Sequence, residues 1–208
     1  LLMHMPGPLN AEQEYQLRTI QHSTRQLISL INDILDLAKI EAGRVDIHLT
    51  MIQCQNMIAT LAASLRPLAD AKQLRFVSEM PAEPIVLRSD ERALNRILIN
   101  LVGNAIKFTD QGEIRVIVNQ HINEGQAMVA FAIHDTGIGI KSADQARLFQ
   151  EFGRVDSPEV REREGTGLGL RLACQLAHVL GGTITLDSTY GRGSIFTLKL
   201  PANTAADT

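Results

Sequence analysis

One segment contains three polar residues whose spacing matches the period of an α-helix. Asn100, Asn104 and Lys107 lie four and then three residues apart, so a helix would present all three on one face. Two amides and an ammonium that point the same way suit a phosphate group bound through Mg2+, an ion that takes oxygen ligands and keeps several waters. The alternative is the solvated polar stripe that surface helices normally carry. Taken alone, the segment leaves both interpretations open.

A second motif, DTGIGI at residues 135–140, ends a stretch of apolar character. The Asp135 carboxylate could accept a hydrogen bond from an exocyclic amine, and Gly137 and Gly139 would let the backbone pass close to a flat ring. A strand-ending turn is the alternative. Asp-Thr-Gly also occurs in pepsin-like aspartic proteases, but their catalytic pair needs a second aspartate, and the sequence contains this motif once.

Two further segments complete the set. Residues 148–152 (LFQEF) carry Phe149 and Phe152, which we interpret as core residues. Residues 165–170 (GTGLGL) open a predicted helix, and glycines at a helix N-terminus expose several N–H donors to an anion. A dinucleotide-binding fingerprint would stand directly after a strand, whereas a charged loop precedes this segment and no P-loop lysine follows it.

Hydrophobic periodicity predicts the elements that must position these segments. We expect helices over residues 52–71, 91–108, 143–150 and 168–180, and strands over residues 45–49, 74–78, 85–87, 113–122, 127–135, 183–187 and 194–200. Pro67 predicts a kink or an early end of the first of these helices. The pattern indicates an α+β domain with a mostly antiparallel sheet over residues 44–201, preceded by a helical arm over residues 1–43 and followed by a polar tail over residues 202–208.

The helical arm carries a heptad seam. Asn10 and Gln13 form a capping-box signature at its start, and Gly43 is a natural C-cap. The seam needs a partner helix, and further leucines widen the apolar face, which favours a bundle over a two-stranded coiled coil. The seam residues are Leu17, Ile20, Thr24, Leu27, Ile31, Ile34 and Ala38.

The bulk composition argues against several classes of protein. The net charge of -3 does not indicate a basic nucleic-acid surface. Cys54 and Cys174 are far apart in sequence, which argues against a disulfide framework or a zinc site and fits a reducing compartment. No apolar run is long enough to span a membrane, and no signal peptide is recognisable. We therefore expect a cytoplasmic chain, and its start at Leu1 favours a fragment whose membrane anchor lies upstream.

In this order, the four segments closely resemble the N, G1, F and G2 boxes of sensor histidine kinases. Asp90, Arg92, Leu94 and Ile97 precede the first segment as in that family, and residues 30–43 are similar to the second helix of the family's dimerisation and phosphotransfer hairpin, especially in hybrid kinases. The resemblance covers essentially the whole chain. It implies the Bergerat ATP-binding fold, a two-layer α/β sandwich with a mixed, mostly antiparallel sheet, behind one long helix of a helical hairpin.

The resemblance implies ATP and Mg2+ as ligands and a role for each site residue. Asn104 is implied to supply a Mg2+ ligand through its side-chain oxygen, and Asn100 and Lys107 to support the phosphates. Asp135 is implied to accept a hydrogen bond from the adenine amino group. The pocket below the base is implied to be shaped by Gly137 and Gly139.

The second glycine segment is implied to hold the triphosphate end of a mobile lid over residues 156–164, which closes over the nucleotide. Glu164 stands where the family usually has a glycine, and a carboxylate there would repel the triphosphate. The motifs still suffice for a kinase, and weak turnover would be consistent with this lid. The implied contacts are Gly165, Thr166, Gly167, Leu168 and Gly169.

The family's phospho-acceptor histidine has no recognisable counterpart in the sequence. In the family it lies on the first hairpin helix beside an acidic residue, whereas His4 adjoins Met5 and Pro6, and His22 lies on the second helix outside that context. A nucleophile needs a positioned base or acid, so we interpret both histidines as structural. The implied activity is transfer of the γ-phosphoryl group of ATP to a histidine on such a hairpin, and from there to an aspartate of a response regulator receiver domain.

The implied partners are a second copy of the chain, bound through the arm, and the receiver domain; another sensor kinase is a further candidate, and nucleic acid is not expected. Two alternatives stay open. One is a non-enzymatic kinase-like regulator that binds another sensor kinase through its arm, an interpretation that the acidic lid favours. The other is a gyrase-, mismatch-repair- or chaperone-type ATPase of the same superfamily, which the hairpin helix and residues 149–152 oppose.

Overall fold

A computed structural model describes residues 7–123, 125–145, 148 and 167–203. This part of the chain forms helices and the strands of two sheets. The helices are α1 (Ala11–Glu41), α2 (Cys54–Ala71), α3 (Glu91–Phe108), α4 (Ser142–Gln145) and α5 (Gly169–Val179). The strands are β1 (Leu49–Gln53), β2 (Arg75–Glu79), β3 (Val86–Asp90), β4 (Glu113–Asn123), β5 (Gln126–Asp135), β6 (Thr183–Thr189) and β7 (Gly193–Pro201).

The larger sheet is mixed, with strand order β2-β4-β5-β7-β6. β2 is parallel to β4, and the other neighbours pair antiparallel. β1 and β3 form a separate antiparallel pair. β7 lies between β5 and β6, so the last hairpin pairs with the strand that ends at Asp135. The mostly antiparallel sheet predicted from the sequence is confirmed.

One face of the five-stranded sheet is covered by helices. The side chains of β5 alternate between the two faces, so Val129, Phe131 and Ile133 are fully buried while the residues between them are half-buried. α2 packs against β2, α3 against β4 and β5, and α5 against α3 and β6. Burial of the apolar side chains between these two layers is the main stabilising contribution to the fold.

α3 begins and ends at the predicted residues, Glu91 and Phe108, and Asp90 caps its start. One oxygen of the Asp90 carboxylate accepts from the N–H of Ala93 at 2.9 Å, as capping aspartates do. The other oxygen accepts from the N–H of His48 at 2.8 Å, so this side chain also fixes the segment that leads from α1. The buried face of α3 consists of Ala93, Leu94, Ile97, Leu98, Leu101, Val102, Ala105 and Ile106.

α1 is the predicted helical arm. The capping box is formed, with Gln13 N–H 2.8 Å from Asn10 Oδ1 and Asn10 N–H 3.0 Å from Gln13 Oε1. Most of the apolar seam is exposed, whereas Leu37, near the end of the helix, is buried against the rest of the chain. In the part of the chain that the structure describes, no helix is both long and apolar enough to cross a membrane.

One prediction about the segments after α1 is wrong. Residues 44–48 are described and form no strand, because β1 begins at Leu49, where pairing with β3 starts. α2 continues past Pro67 to Ala71, so of the two effects expected of Pro67 the early end does not occur. Pro67 lacks the N–H that would bond to the carbonyl of Ala63, and both residues are exposed, so water can hydrate that carbonyl. Of the helix predicted over residues 143–150, residues 146, 147, 149 and 150 lie outside the described residues.

A tight turn ends α2. Leu74 N–H donates to the carbonyl of Ala69 at 3.0 Å, and Gln73 N–H donates to the carbonyl of Asp70 at 2.9 Å, which is the Schellman pattern of a helix C-terminus. Glycine usually occupies the left-handed position of this motif, but here Gln73 adopts a φ of 57°. A side chain in that conformation costs about 1–2 kcal/mol.

Replacing Gln73 with glycine is expected to stabilise the fold. The relieved strain of about 1–2 kcal/mol exceeds the entropy cost of a glycine, about 0.5–1 kcal/mol. The melting temperature should rise by about 1–4 °C for a chain of this length. Thermal unfolding followed by circular dichroism measures the change, and Gln73→Ala, which keeps a Cβ atom, serves as the control without a gain. A lower melting temperature for Gln73→Gly would contradict the strain.

Candidate active site

The three polar residues of α3 lie on one face of the helix, as their spacing predicts. Asn100, Asn104 and Lys107 are half-buried, beside the apolar face that packs on the sheet. The Asn100 amide donates to the carbonyl of Arg96 at 3.1 Å, which fixes its orientation. The Lys107 ammonium lies 4.7 Å from the centroid of the Phe108 ring, within the range of a cation–π contact.

The second glycine segment touches this polar face. Gly169 is the first residue of α5, and a Cβ atom there would lie 2.4 Å from Asn100 Oδ1. Glycine therefore allows α5 to begin against α3. Gly167 and Leu168 lead into the helix, and Leu168 is buried in the core. Several predicted features lie outside the described residues: His4, Phe149, Phe152, the lid over residues 156–164, Gly165 and Thr166.

Asp135 is the last residue of β5 and shares the helix-covered face of the sheet with Ile133. Its half-buried carboxylate accepts from Gly137 N–H at 2.9 Å and from the backbone N–H and the hydroxyl of Ser194. Burial raises the pKa of the Asp135 carboxyl, and these hydrogen bonds act in the opposite direction because they stabilise the ionised form. The carboxylate is thus held at a fixed position at the edge of the helix layer.

The loop after Asp135 is hydrogen-bonded to α3 on one side and to the β6–β7 hairpin on the other. Ile138 N–H donates to the carbonyl of Phe108, the last residue of α3, at 3.2 Å, and the carbonyl of Ile138 accepts from Gly191 N–H at 2.7 Å. A Cβ atom at Gly137 would lie 2.3 Å from the Phe108 carbonyl oxygen. A Cβ atom at Gly139, whose φ is 62°, would lie 2.1 Å from a backbone carbonyl oxygen of the β6–β7 hairpin. The two glycines let the loop fit between α3 and this hairpin.

Two serines connect Asp135 with the far end of the same loop. The hydroxyl oxygens of Ser188 and Ser194 are 3.0 Å apart, and Ser188 Oγ also accepts from Ile140 N–H at 2.9 Å. Neither residue was predicted from the sequence. Ser194 of β7 pairs with Asp135 of β5 on one side and with Ser188 of β6 on the other, and no local sequence pattern reveals that strand order.

A cleft of about 410 Å³ opens at the end of the sheet, and Asp135, Ser188 and Ser194 are among the residues that line it. It is lined by residues of β4, β5, β6, β7 and the adjoining turns, among them Arg115, His134 and Asp187. Of the predicted site residues that the structure describes, only Asp135 borders it. The polar face of α3 lies on the other side of the sheet, so Asn100, Asn104 and Lys107 do not line this cleft.

Comparison with known families identifies the arrangement. Residues 89–204, more than half of the chain, match the family of histidine kinase-, DNA gyrase B- and HSP90-like ATPases. The chain belongs to this family. Residues 1–43 match the His kinase A (phospho-acceptor) domain.

Within this family, the similar proteins are sensor proteins and histidine kinases. The circadian input-output histidine kinase CikA of Synechococcus elongatus is 38% identical over 201 residues, which are 95% of this chain and 26% of that protein. Sensor protein GacS of Pseudomonas syringae pv. syringae is 41% identical over 198 residues, 93% of this chain and 22% of that protein. The crystal structure of full-length ShkA in complex with AMPPNP has a TM-score of 0.80 at 29% identity, covering 98% of this chain and 42% of that chain. The chain spans about a quarter of the length of the two curated relatives.

The resemblance to sensor histidine kinases and the predicted fold class are confirmed by these matches. The chain carries the ATP-binding catalytic region of a two-component histidine kinase, preceded by a segment of the phospho-acceptor type. The roles of the individual site residues and the domain boundaries after residues 43 and 201 stay predictions.

Both helices that carry predicted site residues of this histidine kinase region, α3 and α5, are ion-paired to α1. Arg96, one turn before Asn100, contacts the carboxylates of Asp33, at 2.9 Å, and Asp36. Arg171, in the first turn of α5, lies 2.7 Å from the Glu41 carboxylate. The arm therefore contacts the catalytic region at the helices that carry the first polar and the second glycine segments.

Asn104 fits the chemistry of a Mg2+ ligand. Among the described residues, none hydrogen-bonds to its half-buried amide, and no group of three or more histidine, cysteine or acidic side chains forms a metal cluster. Mg2+ commonly takes one or two protein oxygens and completes its shell with substrate phosphates and waters. A single amide oxygen on the polar face of α3 suits an ion that arrives with a nucleotide.

Replacing Gly169 with alanine is expected to destabilise this histidine kinase region by about 1 kcal/mol, because the Asn100 side chain that the added Cβ atom would meet can move away only by giving up its hydrogen bond to the Arg96 carbonyl. The matched control is Gly103→Ala, because a Cβ atom at Gly103 in α3 meets no atom within 4 Å. The control should gain about 0.5–1 kcal/mol, since alanine is the better helix former. Urea denaturation of both variants measures the difference, and equal behaviour of the two would contradict the contact with Asn100.

Proposed function

We propose that this region binds Mg-ATP between α3 and the two glycine segments and transfers the γ-phosphoryl group to a histidine on a dimerising helical hairpin. The observation that carries the proposal is the position of Asp135. Its hydrogen-bonded carboxylate ends β5 beside a loop that approaches α3 more closely than any side chain at Gly137 would allow. The match of residues 89–204 to an ATPase family supports the same ligand.

The adenine is proposed to lie against the loop at residues 135–140. The Asp135 carboxylate can accept from the exocyclic amine of adenine, whereas guanine presents a carbonyl at that position, and two acceptors do not bond. Gly137 and Gly139 let the loop pack closely against the end of α3 and the β6–β7 hairpin, which sets the position of the loop beside the proposed base. This arrangement favours adenine over guanine nucleotides.

The phosphates are proposed to lie along the polar face of α3. Lys107 supplies a positive charge, and Asn104 supplies an oxygen for Mg2+, which neutralises the phosphates when bound. Gly169 places the N-terminus of α5 beside Asn100, and helix N-termini favour anions. Gly167 and the adjoining Gly165 and Thr166 are proposed to contribute backbone N–H donors at the same end.

The chain's own residues bind and orient ATP, and the nucleophile is proposed to come from a histidine on the hairpin. Phosphoryl transfer depends mainly on positioning and on charge stabilisation. His22 is exposed on α1. Measured along the helix axis, it lies about 16 Å before Asp33, which is a residue of α1 that contacts α3. That position argues against His22 as the acceptor.

The arm is proposed to pack against a second copy of the chain. Contiguous exposed apolar surface drives association, and the match of residues 1–43 to a phospho-acceptor domain supports a helical-bundle interface. A receiver domain of a response regulator is the proposed acceptor of the phosphoryl group from the histidine. The large apolar side chains exposed on α1 are Tyr15, Ile20, Leu27, Ile28, Ile31, Ile34 and Leu35.

A second candidate function is that of a non-enzymatic regulator, which would bind another sensor kinase through the same face of α1. The sequence of the lid favours it, because Glu164 would place a carboxylate near the triphosphate. Phosphotransfer separates the two candidates, since only the first requires the γ-phosphoryl group to leave ATP.

Asp135→Ala is expected to weaken ATP binding at least about tenfold, because a hydrogen bond to a charged group contributes about 1.5–3 kcal/mol. Asp187→Ala is the matched control, since it removes a carboxylate from the exposed side of β6, and it should bind like the wild type. Titration calorimetry with Mg-ATP and Mg-GTP measures the affinities, and the wild type should prefer ATP. Equal affinities of Asp135→Ala and the wild type would place adenine elsewhere.

The isolated chain is not expected to label itself with phosphate from radiolabelled ATP, because no histidine in it has the neighbours of an acceptor. Adding a separate helical hairpin that carries an acceptor histidine should produce acid-labile label in trans. Label on the isolated chain that is lost in His22→Gln would show that the arm supplies the acceptor. If no label forms even with matching hairpins, the regulator is the correct function.

A further inference from the structure

One lysine outside all four motifs holds the end of α3. The Lys72 ammonium donates to the carbonyl oxygens of Ile106 and Lys107, each at 2.9 Å, and of Thr109 at 3.1 Å. An ammonium has three donors, and here each has an acceptor. The last carbonyls of a helix have no partner within the helix and carry a partial negative charge. Although Lys72 is an exposed residue, its charged end satisfies this helix terminus.

The remaining carbonyl of this run, that of Phe108, binds a different partner. Phe108 O accepts from Ile138 N–H at 3.2 Å and closes the space beside Gly137. Four consecutive carbonyls, from residue 106 to residue 109, are therefore bonded, three to Lys72 and one to the loop that follows Asp135. The last turn of α3 lies between α2 and this loop and connects them.

The backbone that carries Lys72 is itself held in a restrictive conformation. Lys72 is the C-cap residue of α2, and the next residue, Gln73, has the left-handed φ of 57°. Leu74 then enters the core and is buried. The turn therefore fixes the position of the Lys72 Cα atom. It does so although the left-handed backbone conformation of Gln73 is unfavourable for a residue with a side chain.

We propose that Lys72 is a positioning residue of the nucleotide site. By binding the last carbonyls of α3, it holds the turn that carries Lys107 against the loop that carries Gly137, and this spacing determines nucleotide affinity. Lys72 acts through these residues rather than on the nucleotide itself. The inference rests on the proposed binding of ATP to this site.

The first test is the affinity for Mg-ATP and Mg-ADP of the whole chain carrying Lys72→Met, measured by titration calorimetry. Methionine keeps the length of the side chain but removes every donor, so the affinity should fall about tenfold. Lys72→Arg keeps a charge and several donors and should restore affinity to within about threefold of the wild type. Lys199→Met is the matched control, because it removes an exposed ammonium from β7, and it should bind like the wild type.

The second test separates positioning from general stability. Amide hydrogen exchange at Ile138, whose N–H bonds to the end of α3, should become faster in Lys72→Met. The amides of Val118 and Phe131, which pair in the centre of the sheet, should keep their protection, because local opening does not require global unfolding. Faster exchange throughout the sheet would overturn the positioning role.

The outcomes also distinguish this inference from the proposed function. If the wild type binds neither nucleotide, the proposed function fails and this inference fails with it. If the wild type binds and Lys72→Met binds within about twofold of it, only the role of Lys72 is overturned. The role also fails if Lys72→Arg loses as much affinity as Lys72→Met.

Discussion

A carboxylate held partly out of water must be hydrogen-bonded from several directions, and the geometry around Asp135 follows from this requirement. The chain meets it with Gly137 N–H and with the backbone and hydroxyl of Ser194. The first donor requires a sharp loop directly after β5, and the others require β7 to pair with β5. The loop then contacts α3 through Ile138, so the position of one side chain links the sheet, the last hairpin and the polar helix.

The contacts between α1 and the catalytic region involve α3 and α5. Arg96 and Arg171 extend from α3 and α5 to carboxylates of the arm. Ion pairs at the surface contribute little each, but Leu37 is buried beside them, so an apolar contact accompanies the charges. A change in the arm's position would therefore act first on the helices that carry Asn100 and Gly169.

The parts of the fold with a local cause could be predicted from the sequence. α3 was predicted over its full length because its apolar period and its polar face both lie within the segment. The strand predicted over residues 45–49 was wrong because alternation alone does not reveal that pairing with β3 starts only at Leu49. Lys72 was missed because its acceptors lie 34 to 37 residues away in sequence, and no local pattern marks such a contact.

The position of β7 has a consequence for protein synthesis. β7 is the last strand of the described chain, yet it lies between β5 and β6 and borders Asp135. Domains begin to fold from the N-terminus while the ribosome is still adding residues. A nascent chain that has emerged only through α5 already contains α3, Asp135 and both glycine segments, but one edge of β5 is unpaired, and such edges recruit other strands. Premature termination before Gly193 would therefore yield a product prone to aggregation rather than a smaller ATP-binding protein.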